Sequence, residues 1–110
     1  MSNTLTFAAE EVDGELSMKL KKTTQSGSLE SSDILITVTP AKPGAGRKID
    51  LESVVLNAYG KSIKKDIVEI LDKLDIKDVY INANDRGAIS STIKARTEAA
   101  LLKSIKDLNI

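Results

Sequence analysis

The chain has 110 residues, of which 41% are hydrophobic, and this suits one soluble globular domain with a single core. Lysine plus arginine and aspartate plus glutamate each number 16, so the charge balance gives no electrostatic reason to expect nucleic acid or anionic lipid as a partner. The sequence has no cysteine and no histidine, which excludes disulfides, Cys/His zinc sites, cysteine nucleophiles and Ser-His-Asp triads. Any thiol or general base used at neutral pH must therefore come mainly from a cofactor or a partner chain.

The first seventeen residues differ in character from the rest. Residues 1–17 contain four acidic residues and no basic one, and Met18 begins a stretch that reads like a natural start. We expect residues 1–17 to be disordered, as an upstream extension, a vector-encoded remnant or the product of a mis-set start codon. No apolar run approaches the ~20 residues of a membrane helix, and the amino terminus lacks the basic-then-apolar order of a signal peptide. The sequence therefore predicts a cytoplasmic protein without a membrane partner.

A polar segment precedes the first clear strand. Residues 18–32 are expected to be flexible, because the run from Thr23 to Ser32 is rich in serine, threonine and glycine and has Leu29 as its one large apolar residue. Within this segment, Gly27–Asp33 has the composition of a turn. On residues alone it is a connecting loop, and a functional serine needs further support.

Alternating apolar residues then predict two strands joined as an antiparallel hairpin. Ile34, Ile36 and Val38 share one face of the first strand, and the second strand runs from Lys48 to Val55. The turn-rich run from Pro40 to Arg47 connects them. Its Gly-Ala-Gly-Arg piece lacks the ending of a phosphate loop and leads into β-like sequence, so a hairpin tip is favoured over a nucleotide site.

Two amphipathic helices and a third strand complete the pattern. Apolar spacing predicts a helix through residues 63–74, whose charged residues, Asp66 among them, cover the other, solvated faces. It also predicts a closing helix from about Ser90 or Ser91 to about Lys106. Between them, Val79–Ala83 reads as a strand that reaches the sheet through a helical crossover and pairs parallel with one hairpin strand. The polar run from Asn82 to Asp85 lacks the spaced carboxylates of a calcium loop, so turn chemistry is favoured there. The order β-β-α-β-α predicts a small single α+β domain, with a three- to four-stranded mixed sheet and two helices on one face.

Four short stretches together resemble one known family. They are Gly27–Asp33, the strand Ile34–Val38 behind it, Asp85–Ala88, and Ala95–Ala99. In this order, over Met18 to about Lys106, the sequence is similar to the acyl carrier subunit (gamma chain) of citrate lyase. The resemblance implies a carrier domain over residues 33–110, preceded by a flexible segment, residues 18–32, that holds a modified serine.

The resemblance also implies a covalent attachment site. In this family a serine in the motif Leu-Glu-Ser-(Gly or Ser)-Asp carries its prosthetic group through a phosphodiester link, and the motif falls on Leu29–Asp33. The implied attachment residue is Ser31, and neither a catalytic residue nor a metal ligand is implied. The implied cofactor is 2'-(5''-phosphoribosyl)-3'-dephospho-CoA, covalently attached, which an unmodified sample lacks. Ser32 offers a neighbouring hydroxyl that spacing alone does not exclude.

The implied function is non-catalytic. The arm holds acetyl and citryl thioesters while the complex cleaves citrate to acetate and oxaloacetate. The implied partners are the citrate lyase alpha (CoA-transferase) and beta (citryl-lyase) subunits and the prosthetic-group transferase. Two alternatives stay open: a related carrier of malonate decarboxylase or citramalate lyase, and a binding or assembly module whose serine is never modified. The region around Arg96 and Glu98 is interpreted as helix–sheet packing or subunit contact.

Overall fold

The structure of the protein is a computed structural model that describes residues 4–10 and 19–106. The described chain is a small α+β domain of five strands and two helices, which confirms the predicted fold class. In chain order the elements are β1 (Thr4–Glu10), β2 (Thr24–Gly27), β3 (Ile34–Pro40), β4 (Arg47–Ser53), α1 (Leu56–Lys73), β5 (Val79–Asp85) and α2 (Ser90–Lys106). No helix in this described part is both long and apolar enough to cross a membrane.

The sheet is mixed, with β5 at its centre and the strand order β1-β4-β5-β3-β2. β5 pairs parallel with β4, as the crossover predicts, and antiparallel with β3. The predicted hairpin is wrong, because β5 lies between β3 and β4. The crossover through α1 brings β5 to the edge of β4 that a hairpin would use. Residues 41–46 instead pass the end of β5, where the Gly46 carbonyl accepts a hydrogen bond from the Val79 N–H at 3.0 Å.

Two of the five strands, β1 and β2, lie outside the three segments predicted as strands, so the sheet is larger than the expected three to four strands. β1 pairs antiparallel with β4, from Thr4 opposite Glu52 to Glu10 opposite Arg47. Residues 4–10 therefore differ from the disorder expected of residues 1–17, while residues 1–3 and 11–17 lie outside the described part of the chain. Without β1, β4 would present unpaired N–H and C=O groups at the sheet edge. This segment gains its structure by pairing with that edge, which its own residue pattern does not reveal.

β2 is a short edge strand that hydrogen bonds to α2 hold in place. The Thr24 hydroxyl donates to the Ala100 carbonyl at 2.6 Å, and the Ser104 hydroxyl donates to the Lys22 carbonyl at 2.6 Å. Both hydroxyl-bearing residues are buried. Residues 18–32 were expected to be flexible because they carry little apolar surface, but small hydroxyl side chains attach this segment to α2 without it.

One hydrophobic core lies between the sheet and both helices. β3, β4 and β5 alternate buried residues with more exposed ones, and the buried side chains meet the apolar stripes of α1 and α2 in a single cluster, which confirms that both helices cover one face. The buried members are Ile34, Ile36, Val38, Ile49, Leu51, Ile63, Ile67, Ile70, Leu71, Ile76, Val79, Ile81, Ala83, Ile93, Ala100 and Leu101. The strand register places the start of β3 beside the ends of β4 and β5, so the loops at these three points share one end of the sheet.

Candidate functional site

Ser31 lies at the tip of a four-residue turn at this end of the sheet. The Asp33 N–H donates to the Glu30 carbonyl at 3.1 Å, which closes a turn with Ser31 and Ser32 at its two central positions. Ser31 is exposed, and its hydroxyl makes no hydrogen bond to any residue that the structure describes. The Ser31 hydroxyl is therefore accessible from solvent and is not used in a hydrogen bond within the described fold.

Ser32 anchors the turn to the loop that follows β5. Its φ is 68°, in the left-handed region that turns of this kind favour for glycine at the same position. The Ser32 N–H donates to the Arg86 carbonyl at 2.8 Å, and the Arg86 N–H donates to the Asp33 carbonyl at 2.9 Å. These two backbone hydrogen bonds hold Ser32 and Asp33, the two residues that follow Ser31, against Arg86.

Asp33 secures the base of the turn through both carboxylate oxygens. Oδ2 accepts from the Ser28 hydroxyl at 2.7 Å, and Oδ1 accepts from the Ile34 N–H at 2.8 Å. From α2, Arg96 donates through Nε to Oδ1 at 3.0 Å and through Nη2 to Oδ2 at 3.2 Å. Burial acts to raise the pKa of Asp33, but the hydrogen bonds from Arg96, Ser28 and the Ile34 N–H together hold it below its ordinary value. Asp33 is therefore ionised at neutral pH.

Gly27 permits the close approach on which this arrangement depends. Its φ is 96°, and a Cβ at this position would overlap the carbonyl group of Ile34. The same Cβ would lie 3.3 Å from Cδ of Arg96, whose side chain crosses here to reach Asp33. Both the backbone conformation and the available space therefore require glycine.

Asp85 shapes the loop against which the turn rests. It is fully buried, and Oδ2 accepts from the Ser53 hydroxyl at 2.8 Å and from the Gly87 N–H at 3.1 Å. Oδ1 accepts from the Ala88 N–H at 3.0 Å. The turn interpretation of the run from Asn82 to Asp85 is wrong in its position, because these residues form the end of β5 and the turn follows them, where Asp85 accepts from Gly87 and Ala88. Among the described residues, no group of three or more histidine, cysteine, aspartate and glutamate side chains is placed to hold a metal ion.

A cleft of about 420 Å³ opens beside this loop, between the amino-terminal parts of α1 and α2. Its lining is mainly apolar, but it includes Asp66, which is only 7% exposed. The sequence pattern does not predict the cleft, and Asp66 was expected on the charged outer face of α1. A signal was present, because Asp66 follows Ile63 by three residues and precedes Ile70 by four, and such positions share one helix face.

The structure brings together the separate stretches on which the resemblance rests. Gly27–Asp33 and Asp85–Ala88 meet through backbone bonds, and Arg96 joins the helical stretch to Asp33 across 63 residues. Arg96 thus links α2 to the residue before β3, as helix–sheet packing would require, and the alternative of a subunit contact for this region stays a prediction. The Glu98 carboxylate is instead bound to α1, where Oε1 accepts a hydrogen bond from Nζ of Lys73 at 2.8 Å. Sequence reasoning identified these stretches but did not predict that Asp33 and Arg96 pair.

Comparison with known proteins first defines the class. The model of an acyl carrier family, ACP, described as malonate decarboxylase delta subunit (MdcD), matches residues 21–104. The matched span contains the serine turn, the Asp33–Arg96 pair and the whole of the cleft.

Curated relatives narrow the class to one family. The chain is 45% identical over 89 residues to the citrate lyase acyl carrier protein of Halothermothrix orenii, covering 81% of this chain and 93% of the relative. The protein of the same name from Lactobacillus acidophilus is 51% identical over 83 residues, covering 76% and 84%. The one from Treponema denticola is 38% identical over 87 residues, covering 79% and 97%. The chain therefore belongs to the citrate lyase acyl carrier protein family, as the resemblance indicates.

A solved structure shares the fold. The match is to a chain of a Pseudomonas malonate decarboxylase hetero-tetramer in complex with malonate, with a TM-score of 0.73 over 91% of this chain and 96% of that one. The two sequences are 19% identical, so this likeness supports the arrangement of strands and helices alone.

Proposed function

We propose that the protein is the acyl carrier subunit of citrate lyase and that Ser31 carries its covalent prosthetic group. The observation that carries the proposal is the exposed and uncommitted Ser31 hydroxyl, at the tip of an anchored turn, in a chain whose relatives are named citrate lyase acyl carrier proteins. Loops on a fixed scaffold are where binding and modification sites concentrate. An attachment point of this kind is accessible to a modifying enzyme and to partner active sites.

The turn fits a bulky phosphodiester-linked group. Because the Ser31 side chain is exposed and makes no hydrogen bond to a described residue, a substituent on Oγ breaks no hydrogen bond of the described fold. The neighbouring carboxylate of Asp33 is compensated by the guanidinium of Arg96 at 3.0 Å, which limits its repulsion of an added phosphate. The anchoring bonds lie at the base of the turn and remain available after modification.

Of the three serines in this loop, Ser28, Ser31 and Ser32, Ser31 is the best candidate for the attachment residue. Ser28 donates its hydroxyl to Asp33 at 2.7 Å and accepts from the Glu30 N–H at 3.2 Å, so it is already used. Ser32 is exposed, but its φ of 68° marks a position that glycine fills equally well, where a side chain is dispensable. Ser31 is exposed and free of both constraints.

When attached, 2'-(5''-phosphoribosyl)-3'-dephospho-CoA supplies the thiol that carries the acyl group, and this chain has no cysteine of its own. The residues of this chain fix the attachment point through Asp33, Arg96 and Gly27. Cleavage chemistry then belongs to the alpha and beta subunits, and loading of Ser31 to the prosthetic-group transferase. We further propose that this complex works in the cytoplasm.

A carrier role in malonate decarboxylase is the second candidate. It is favoured by the description of the matching family and by the shared fold of the Pseudomonas chain. Identities of 38–51% with citrate lyase carriers, against 19% with the malonate decarboxylase chain, favour citrate lyase. Mass-spectrometric identification of the subunits that copurify with the chain from its own host separates the two.

Intact and peptide mass spectrometry tests the attachment. The chain is purified from its host or after co-expression with the transferase, and we expect the mass of the prosthetic group on the peptide that holds Ser31. Ser31→Ala should abolish the addition, whereas Ser32→Ala should retain it. An unmodified peptide in the unaltered chain would overturn the carrier function, and an addition that only Ser32→Ala removes would reassign the site.

A further inference from the structure

The cleft between α1 and α2 is a concave surface next to the serine turn. Its volume of about 420 Å³ falls within the range of small-molecule sites. Ile63 and Ile93 form apolar walls, and the Tyr59 ring and Ile89 at its edge are 58% and 69% exposed. Large apolar side chains exposed beside a concave, mainly apolar surface mark a place where a ligand gains by burying them.

Asp66 gives this cleft a specific polar requirement. It lines the cleft at 7% exposure and makes no hydrogen bond or ion pair to any residue that the structure describes. Lys94 on α2 is near enough for the charge of Asp66 to act on it, but its ammonium is bound to Glu69 at 2.7 Å. A ligand that displaces water from this carboxylate loses affinity unless it supplies a hydrogen-bond donor in its place. The cleft therefore suits a ligand that brings an N–H or O–H donor to Asp66.

The cleft adjoins the backbone that holds Ser31. The Arg86 carbonyl accepts the Ser32 N–H at 2.8 Å, and the next residue, Gly87, lines the cleft together with Ala88. A group linked covalently to Ser31 is present beside the cleft at the millimolar effective concentration typical of short flexible tethers. Even weak contacts would therefore hold such a group in the cleft for part of the time.

We propose that the cleft binds the adenine ring of the group carried by Ser31, with Asp66 accepting a hydrogen bond from the exocyclic amine. The inference rests on the proposed function. Adenine is flat and aromatic, which suits the apolar walls and the Tyr59 ring, and its amine is the donor that Asp66 lacks. An anionic acyl group is disfavoured by the same carboxylate, so the acyl end of the arm stays outside the cleft and reaches the partner subunits.

Free nucleosides test the cleft on the unmodified, 15N-labelled chain. Adenosine should shift the amide signals of cleft residues such as Ile63 and Ala88. Purine riboside, which lacks only the exocyclic amine, should bind about tenfold more weakly, as expected for loss of one hydrogen bond to a charged group. In Asp66→Leu the two nucleosides should bind alike. Glu98→Gln removes a negative charge outside the cleft lining and should keep the tenfold difference.

Equal binding of the two nucleosides by the unaltered chain would overturn the proposal, as would adenosine shifts confined to residues outside the cleft. Should Asp66→Leu fail to fold, the comparison of the two nucleosides on the unaltered chain decides by itself. The loaded chain should show the same cleft shifts relative to Ser31→Ala, and unchanged cleft signals would overturn the tethered form. Because the nucleosides are added free, the titration is independent of modification: a missing mass addition overturns the carrier function and leaves the binding result standing.

Discussion

Arg96 and Asp33 form a two-pronged ion pair that joins the middle of α2 to the base of the serine turn. Nε and Nη2 of the guanidinium bind the two carboxylate oxygens at 3.0 and 3.2 Å. The side chain of Asp33 is 15% exposed and that of Arg96 43%. A planar guanidinium bound in this way sets orientation as well as distance. The position of Ser31 relative to α2 therefore depends on this pair.

Arg96→Gln should lower the free energy of unfolding by roughly 1 kcal/mol, because charge-assisted bonds are lost but partial exposure screens the pair. Arg96→Lys should recover little of the loss, since an ammonium does not bind both oxygens in the same plane. The matched control is Glu98→Gln on the same helix, whose partner Lys73 is 60% exposed, and the expected loss is below about 0.5 kcal/mol. Urea unfolding measures all three, and equal losses for Arg96→Gln and Glu98→Gln would contradict the assignment.

The stabilisation by Asp33 should depend on pH with a defined sign. Its folded-state pKa lies below the ordinary value of 3.8, so its contribution is complete above the unfolded-state pKa and is lost as the pH falls through the folded-state value. The difference in stability between the unaltered chain and Arg96→Gln should be constant near neutral pH and shrink below about pH 4. Unfolding curves from pH 7 to pH 2.5 provide the measurement. A gap that widens on acidification would show that Asp33 is not the partner that matters.

The sequence pattern was sufficient for the elements that bury apolar stripes. The stripe of α1 and the alternation of β3 and β5 repeat at helical and strand periods, and those periods predict their faces correctly. The strand order was not predicted correctly, because a local residue pattern does not specify which edge of β4 a later strand pairs with. β1 and β2 were missed since pairing and hydroxyl-to-carbonyl bonds, such as that of Thr24 to Ala100, hold them rather than apolar periodicity.

The candidate site was predictable only in its parts. Ser31 was identified through the resemblance to a known family, because the composition of the segment around it indicates only a loop. The pairing of Asp33 with Arg96 spans 63 residues and has no local signature. Asp66 was assigned to the outer face because it is charged, whereas its spacing from Ile63 and Ile70 already placed it on the buried one. Charge and spacing disagreed at this position, and spacing was correct.

Asp85→Asn should destabilise the fold more than other carboxylate changes of the same size. The amide replaces one acceptor oxygen by a donor group, so either the Ala88 N–H or the pair formed by the Ser53 hydroxyl and the Gly87 N–H loses its acceptor. We expect a loss of about 2–3 kcal/mol for unsatisfied groups at a buried site. Asp75→Asn is the control, because its side chain is 57% exposed and asparagine tolerates its φ of 55°. Thermal unfolding should separate the two variants clearly, and comparable melting temperatures would refute a structural role for Asp85.

Gly27→Ala should be among the most destabilising single substitutions in the described chain, with a loss of about 3 kcal/mol or more. An alanine there combines a positive φ with overlap of its Cβ and the Ile34 carbonyl group, and relief of that overlap requires β2 to separate from β3. Gly44→Ala supplies the matched control, because its φ of 86° is equally unfavourable but open space surrounds it, so only about 1 kcal/mol is expected. The difference between the two losses in urea unfolding isolates the steric overlap. Similar losses would mean that the backbone around Gly27 moves readily to accommodate a Cβ. The turn that holds Ser31 would then be less rigid than the contacts of Asp33 and Arg96 indicate.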